Sequence, residues 1–172
     1  IDLPCASYAH DFTATALHLV IVLQPWLHEA DTMPFASGMR WRPEQGTRVL
    51  VIDKADLSRR RLYELPPFFF FHLGDAWEEK DGTIRFDGCL HDGPSFVATG
   101  SELVEGRYDH SERPILSLVT LRPDGRATLE STGLTAEFPR SAPDIAGLPR
   151  TQTFHVGGYR PDRPFAQSIA GW

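Results

Sequence analysis

The stretch PPFFFFHLGDAWEE, residues 66–79, decides how the chain is read. Four consecutive phenylalanines, Phe68 to Phe71, run straight into His72, and the acidic residues Asp75, Glu78 and Glu79 follow. The pair Asp81-Gly82 then reads as a hairpin turn, because glycine accepts the positive φ such a turn needs. A short apolar run bounded by turn signals predicts a buried strand. A histidine at the end of such a strand is either a packed core residue or a metal ligand in a dry pocket, and the run itself leaves both open.

Outward from this stretch the pattern is β throughout. Leu17–Leu23 (LHLVIVL) is apolar and β-branched and stops at Pro25, and Thr47–Asp53 (TRVLVID) is a second such run, reached through Gly46. Arg61–Leu65 predicts a third strand and Phe68–Trp77 a fourth. Beyond the Asp81-Gly82 turn, Thr83–Phe86 alternates, with Ile84 and Phe86 on one face. Ile115–Leu121 is another buried run. Pro123-Asp124-Gly125 turns it into Ala127–Glu130, where Ala127 and Leu129 alternate with polar residues. Pro139–Arg150 (PRSAPDIAGLPR) reads as a loop. No stretch of ten residues carries a helical period, and 14 prolines and 14 glycines punctuate the chain at short intervals. Many short strands joined by turns predict a sandwich, a barrel or propeller blades.

At 172 residues the chain suits one domain. With 41% hydrophobic and 23% charged residues it has a globular composition. A net charge of −6 and a pI near 5.6 leave no basic face for nucleic acid. The longest apolar runs are far too short to span a membrane, and no signal peptide is visible. Cys5 and Cys89 have neither disulfide-framework nor metal-site spacing, so they read as reduced thiols of a cytoplasmic protein. The chain opens on IDLPCASYAHDF and closes on FAQSIAGW, neither of which reads as a domain terminus. The expectation is a single domain over 1–172, truncated at both ends.

Seven histidines are available: His10, His18, His28, His72, His91, His110 and His155. None forms a local metal-binding pair, so a metal site would have to be assembled from distant strands. His10, in YAHDFTAT, and His72 stand out because each sits beside apolar residues, where a neutral imidazole is cheap to bury and a charged one is not. Glu137, in LTAEFPR, is an acid in apolar company. It could accept the spare ring N–H of a ligating histidine and so fix its tautomer, or it could cap a loop or pair with Arg140 on the surface.

Four phrases taken together resemble the carotenoid cleavage oxygenases, the family that includes apocarotenoid and lignostilbene dioxygenases. YAHDFTAT looks like that family's His-Asp-Phe segment with a threonine a few residues on, here Thr15. MRWRPEQGTRVLVIDK echoes its Arg-Trp text followed by a glycine and a strand. FFFFHLGDAWEE is similar to its Phe-His-x-x-Asn-Ala-aromatic-Glu, with Asp75 in place of the asparagine. AEFPR resembles its Glu-Phe-Pro motif. The phrases come in the family's order. His72 follows His10 by 62 residues (72 − 10), and Glu137 follows His72 by 65 (137 − 72).

The resemblance implies an all-β fold, about three blades of a seven-bladed β-propeller. It implies a non-haem Fe(II) held by four histidines on the propeller axis. His10 and His72 match the second and third ligands in chain order, and Glu137 matches the glutamate behind the third. No further catalytic side chain is implied. Tyr8, Phe69 and Phe71, close to these ligands, are candidates to line a substrate tunnel. The implied reaction is cleavage of a conjugated C=C bond of an apolar carotenoid, apocarotenoid or stilbene by O₂, giving two carbonyl products, with peripheral membrane contact in the full-length protein. With two ligands outside the chain, these residues alone would be inactive. A non-catalytic propeller interaction module is the rival expectation, in which His10 and His72 would be satisfied separately and share no focus.

Overall fold

The computed structural model describes residues 2–32, 35–98, 102, 104–107, 112–142, 147–149, 153–157 and 166–171. His110, residues 143–146 and 150 of the expected loop, and the two terminal residues lie outside that set. The strands run β1 (Thr13–Ala14), β2 (His18–Leu23), β3 (Trp26–His28), β4 (Met39–Trp41), β5 (Thr47–Asp53), β6 (Arg60–Leu65) and β7 (Phe69–Leu73). They continue with β8 (Trp77–Glu78), β9 (Ile84–His91), β10 (Ile115–Leu121), β11 (Ala127–Thr135), β12 (Glu137–Arg140), β13 (Phe154–Gly157) and β14 (Ser168–Gly171). The chain is all-β, as the sequence predicts.

Three antiparallel sheets follow one another along the chain. The first has the order β1-β2-β5-β6, the second β7-β9-β10-β11, and the third β12-β13-β14. A two-stranded ribbon, β3-β4, is an excursion within the first. Each sheet begins in sequence with its own edge strand: β1, β7 and β12. This is the layout of successive propeller blades, each entered at one edge and left at the other.

The phenylalanine run explains how the first two sheets meet. Phe68 and Phe70 point one way, into a core shared with Val20, Val22, Val49, Val51, Tyr63, Ile84, Phe86, Val119 and Leu121. Phe69 points the other way, into a second cluster with Trp26 and Met39, against which Tyr8, Trp41 and Phe71 pack. Both faces of this strand are covered, so alternation of polar residues is absent. Fully burying each phenylalanine contributes about 1.5–3 kcal/mol.

Four sequence expectations need correction. Ala127–Glu130 is only the start of β11, which runs on to Thr135. Phe68–Trp77 is not one strand: β7 and β8 both pair with β9 but are separated at residues 74–76. Gly74 N–H still donates to the Asp87 carbonyl on β9 at 2.7 Å, but by Ala76 the backbone meets another sheet, where its N–H donates to Thr13 Oγ1 at 2.8 Å. Thr83–Phe86 is the start of a longer strand, because β9 is buried through to His91 and pairs with β10 from Ile84 to Leu90. Pro139 and Arg140 belong to β12 rather than to a loop. A bulge between Glu137 and Arg140 accommodates the proline in that edge strand.

As an edge strand, β7 has backbone N–H groups that β9 does not use, and buried donors must find acceptors. Side chains from the first sheet and its approaches supply them. Phe68 N–H donates to Thr47 Oγ1 at 3.1 Å, Phe70 N–H to Gln24 Oε1 at 2.9 Å and Leu73 N–H to Asp11 Oδ2 at 3.0 Å. Gln24 is fully buried and its amide also donates to the Tyr8 carbonyl at 3.0 Å. Replacing it with methionine, similar in size but without these bonds, should lower stability by about 1–3 kcal/mol. Chemical denaturation measures this, and an unchanged midpoint would refute the role given to Gln24. Both cysteines are free, and burial pushes the Cys89 thiol well above its ordinary range. Native Cys89 should therefore resist iodoacetamide at pH 8 and react once the protein is unfolded; mass spectrometry of the alkylated protein decides.

Candidate metal centre

The edge strands bring together residues that are far apart in sequence. His10 lies on the approach to β1, three residues before it, His72 lies on β7 and Glu137 opens β12, so the entry to the first sheet and the edge strands of the next two each contribute one. The rings of His10 and His72 stand 5.4 Å apart, centroid to centroid, at an interplanar angle of 84°. His72 Nδ1 donates to Glu137 Oε2 at 2.8 Å. The surface pairing of Glu137 with Arg140 that its sequence context allowed does not form. Glu137 is buried, and the Arg140 guanidinium donates instead to the Leu73 and Pro139 carbonyls, each at 3.0 Å.

Local distortions aim these side chains. The β7–β9 register slips between Phe70 and Leu73, which releases Phe71 and His72 from the ladder. The β12–β13 register slips in the same way after Glu137. Bulges of this kind re-aim side chains and recur next to functional sites. Phe138, inside the second bulge, has φ 53°, an unusual value for an aromatic residue. Such a conformation costs on the order of 1–3 kcal/mol and persists only where its surroundings enforce it. Here it lets the Phe138 N–H donate to Glu137 Oε2 at 2.9 Å while its ring lies against the His72 imidazole, with centroids 4.1 Å apart.

The electrostatics follow from this packing. Burial pushes the Glu137 carboxyl up, but the hydrogen bonds from His72 and Phe138 and the nearby His91 outweigh it, and the net direction is down. A carboxylate facing Nδ1–H fixes the His72 tautomer and leaves Nε2 with a lone pair to offer. Tyr8 Oη lies 3.2 Å from His10 Nδ1, so Nε2 is likewise the free nitrogen of His10 when Nδ1 carries the proton. Among the described residues no group of three or more His, Cys, Asp or Glu could hold a metal ion. What the structure brings together is two imidazole rings, a donor type that suits iron.

The dry pocket expected around these rings is not closed by the described residues. His10 is exposed and the His72 side chain retains 21% of its accessible surface. Of the three expected lining residues, Tyr8 and Phe71 are half-buried and touch His10: the Phe71 ring centroid is 5.4 Å from it and Tyr8 stacks at 6.0 Å. Phe69 has no exposed surface and packs behind Phe71 and Trp26. His18 pairs with Glu78 at 2.9 Å, away from this cluster. Asp11, Phe138 and His91 were not singled out by sequence. Asp11 and Phe138 sit inside phrases that were, but nothing in their spacing announces a role. His91 ends a buried strand, as His72 does, but has no phrase around it.

Comparison with known proteins agrees with this architecture. The family model described as retinal pigment epithelial membrane protein (RPE65) matches residues 1–171. A carotenoid isomerooxygenase of Galleria mellonella is 30% identical over 93 residues, covering 49% of this chain and 18% of that protein. A mitochondrial carotenoid-cleaving dioxygenase of Mustela putorius furo is 30% identical over 95 residues, covering 50% and 17%. The structure of an ACO/RPE65 chimera superposes with a TM-score of 0.80 at 17% identity, over 98% of this chain and 36% of that one. A cobalt-substituted Synechocystis ACO superposes with a TM-score of 0.77 at 17% identity, over 96% and 36%. The chain thus spans about a third of the solved structures it resembles and less than a fifth of these curated relatives. Its sheets are part of a seven-bladed β-propeller, and the chain belongs to the carotenoid cleavage oxygenase family.

Proposed function

We propose that this chain is part of a non-haem Fe(II) dioxygenase that cleaves a conjugated C=C bond of an apolar substrate with O₂, one oxygen atom going to each of two carbonyl products. His10 and His72 would bind the metal through Nε2, and Glu137 would hold His72 from behind. The observation that carries the reading is the meeting of an imidazole from the approach to β1 with one on the edge strand β7, the latter bonded to a buried carboxylate. An interaction module would have no use for perpendicular histidines braced in this way.

When bound, ferrous iron supplies an open coordination position at which oxygen is activated. The protein's own residues do the rest. Glu137 keeps the proton of His72 on Nδ1, so that Nε2 stays available. Phe138 restrains the His72 ring by contact, and its N–H holds the carboxylate. Tyr8 and Phe71 offer an aromatic wall beside His10, against which a carotenoid, apocarotenoid or stilbene could lie, and Phe69 stiffens that wall from the core. The chain supplies two of the four ligands this reading requires, so it should not cleave substrate on its own. A substrate this apolar calls for peripheral membrane contact by the full-length protein. The free cysteines accord with a cytoplasmic setting.

In the full-length protein, His10→Ala and His72→Ala should each abolish iron retention and the formation of carbonyl products. Glu137→Gln should weaken iron binding about 10–100-fold. Iron content by elemental analysis and product aldehydes by chromatography are the readouts. A His72→Ala protein that keeps its iron and its cleavage activity would refute the assignment.

A further inference from the structure

His91 is a buried histidine to which the reading above gives no task. It closes β9 directly opposite Phe69, and its side chain retains 5% of its accessible surface. Phe69 and Phe71 flank the ring edge-on, with centroids 5.9 and 6.1 Å away. Inside this aromatic frame the two ring nitrogens face carboxylates on opposite sides. Nε2 is 3.8 Å from Glu137 Oε1, and Nδ1 is 3.7 Å from Glu112 Oε1. Both gaps lie just beyond hydrogen-bonding distance, and among the described residues neither nitrogen finds a hydrogen-bond partner. Buried imidazole nitrogens are seldom left in that state without a reason.

Glu137 provides the reason. Its Oε2 already accepts two hydrogen bonds, from His72 Nδ1 and Phe138 N–H. Its Oε1 faces His91. A carboxylate held at one oxygen alone can swing about its side-chain torsions; one held at both cannot. We infer that His91 is a positioning residue: its Nε2–H holds Glu137 Oε1 so that Oε2 stays aimed at His72 Nδ1. The chain of contacts runs His91 to Glu137 to His72, from the end of β9 through β12 to β7. The inference rests on the metal-site reading only for its consequence at the metal, since a hold of His91 on Glu137 needs no metal.

The test uses the full-length protein, metal-free and labelled with ¹⁵N-histidine, as wild type, His91→Phe and His91→Gln. Nitrogen shifts report which ring atoms of His72 and His91 carry protons. Titration with Co²⁺, followed by visible absorption, reports affinity, and thermal melting reports stability. In the wild type, His91 Nε2 and His72 Nδ1 should both be protonated. His91→Phe keeps the packing but removes the donor, so His72 should show mixed tautomers and Co²⁺ affinity should fall about tenfold. His91→Gln restores one N–H donor and should recover both signals. An unprotonated Nε2 on wild-type His91, an unchanged His72 tautomer in His91→Phe, or equal loss in both variants would overturn the inference. Should His91→Phe fail to fold, the wild-type spectrum and His91→Gln still decide. A wild type that binds no Co²⁺ would overturn the metal reading, while the His72 tautomers would still judge His91.

Discussion

Everything at this site depends on one constraint: β7 is an edge strand pressed against another sheet. An exposed edge strand can leave its outward N–H groups to water, but a covered one cannot. Thr47, Gln24, Asp11 and Thr13 answer the donors of Phe68, Phe70, Leu73 and Ala76. The two sheets are thereby locked in register as well as in contact. Hydrophobic packing through Phe68 and Phe70 supplies most of the attraction, but it is non-directional. The side-chain acceptors fix the position of His72 relative to His10, because Asp11 is the neighbour of one and bonds the backbone neighbour of the other.

The third sheet is joined by the same logic with charge added. His72 and Arg140 both reach across the β7–β12 boundary, the first to Glu137 and the second to the Leu73 carbonyl. Each of these edge strands breaks its ladder where a side chain must leave the ordinary pleat. The strained Phe138 backbone marks the place where local comfort gives way to the geometry of the site. Conflict between local preference and observed structure is expected at functional positions and seldom elsewhere.

Much of this was legible in the sequence. Thr47–Asp53 and Ile115–Leu121 were readable to the residue, because buried strands are written as apolar runs between turn signals. The turns at Gly82 and Gly125 have the positive φ their sequences call for. The phrases around His10, His72 and Glu137, and their order, singled out three residues that the fold does bring together. What sequence did not reveal is where a strand stops pairing. Phe68–Trp77 reads as continuous although Gly74-Asp75 is a break signal; Gly74 N–H still donates to the Asp87 carbonyl on β9, whereas Ala76 N–H turns to Thr13 in a neighbouring sheet. Gln24 and His91 were invisible for a related reason. Their roles are set by partners 46 residues away in one case and in another sheet in the other, and no local pattern records such a partner.

The central claim is that His10 and His72 share one metal ion, with Glu137 behind His72. Anomalous X-ray diffraction from crystals of the full-length protein loaded with iron, collected on either side of the iron absorption edge, tests it directly. The account predicts a single anomalous peak bonded to both imidazoles, with the His72–Glu137 hydrogen bond intact. A peak bonded to only one of the two histidines, or located elsewhere in the propeller, would contradict it.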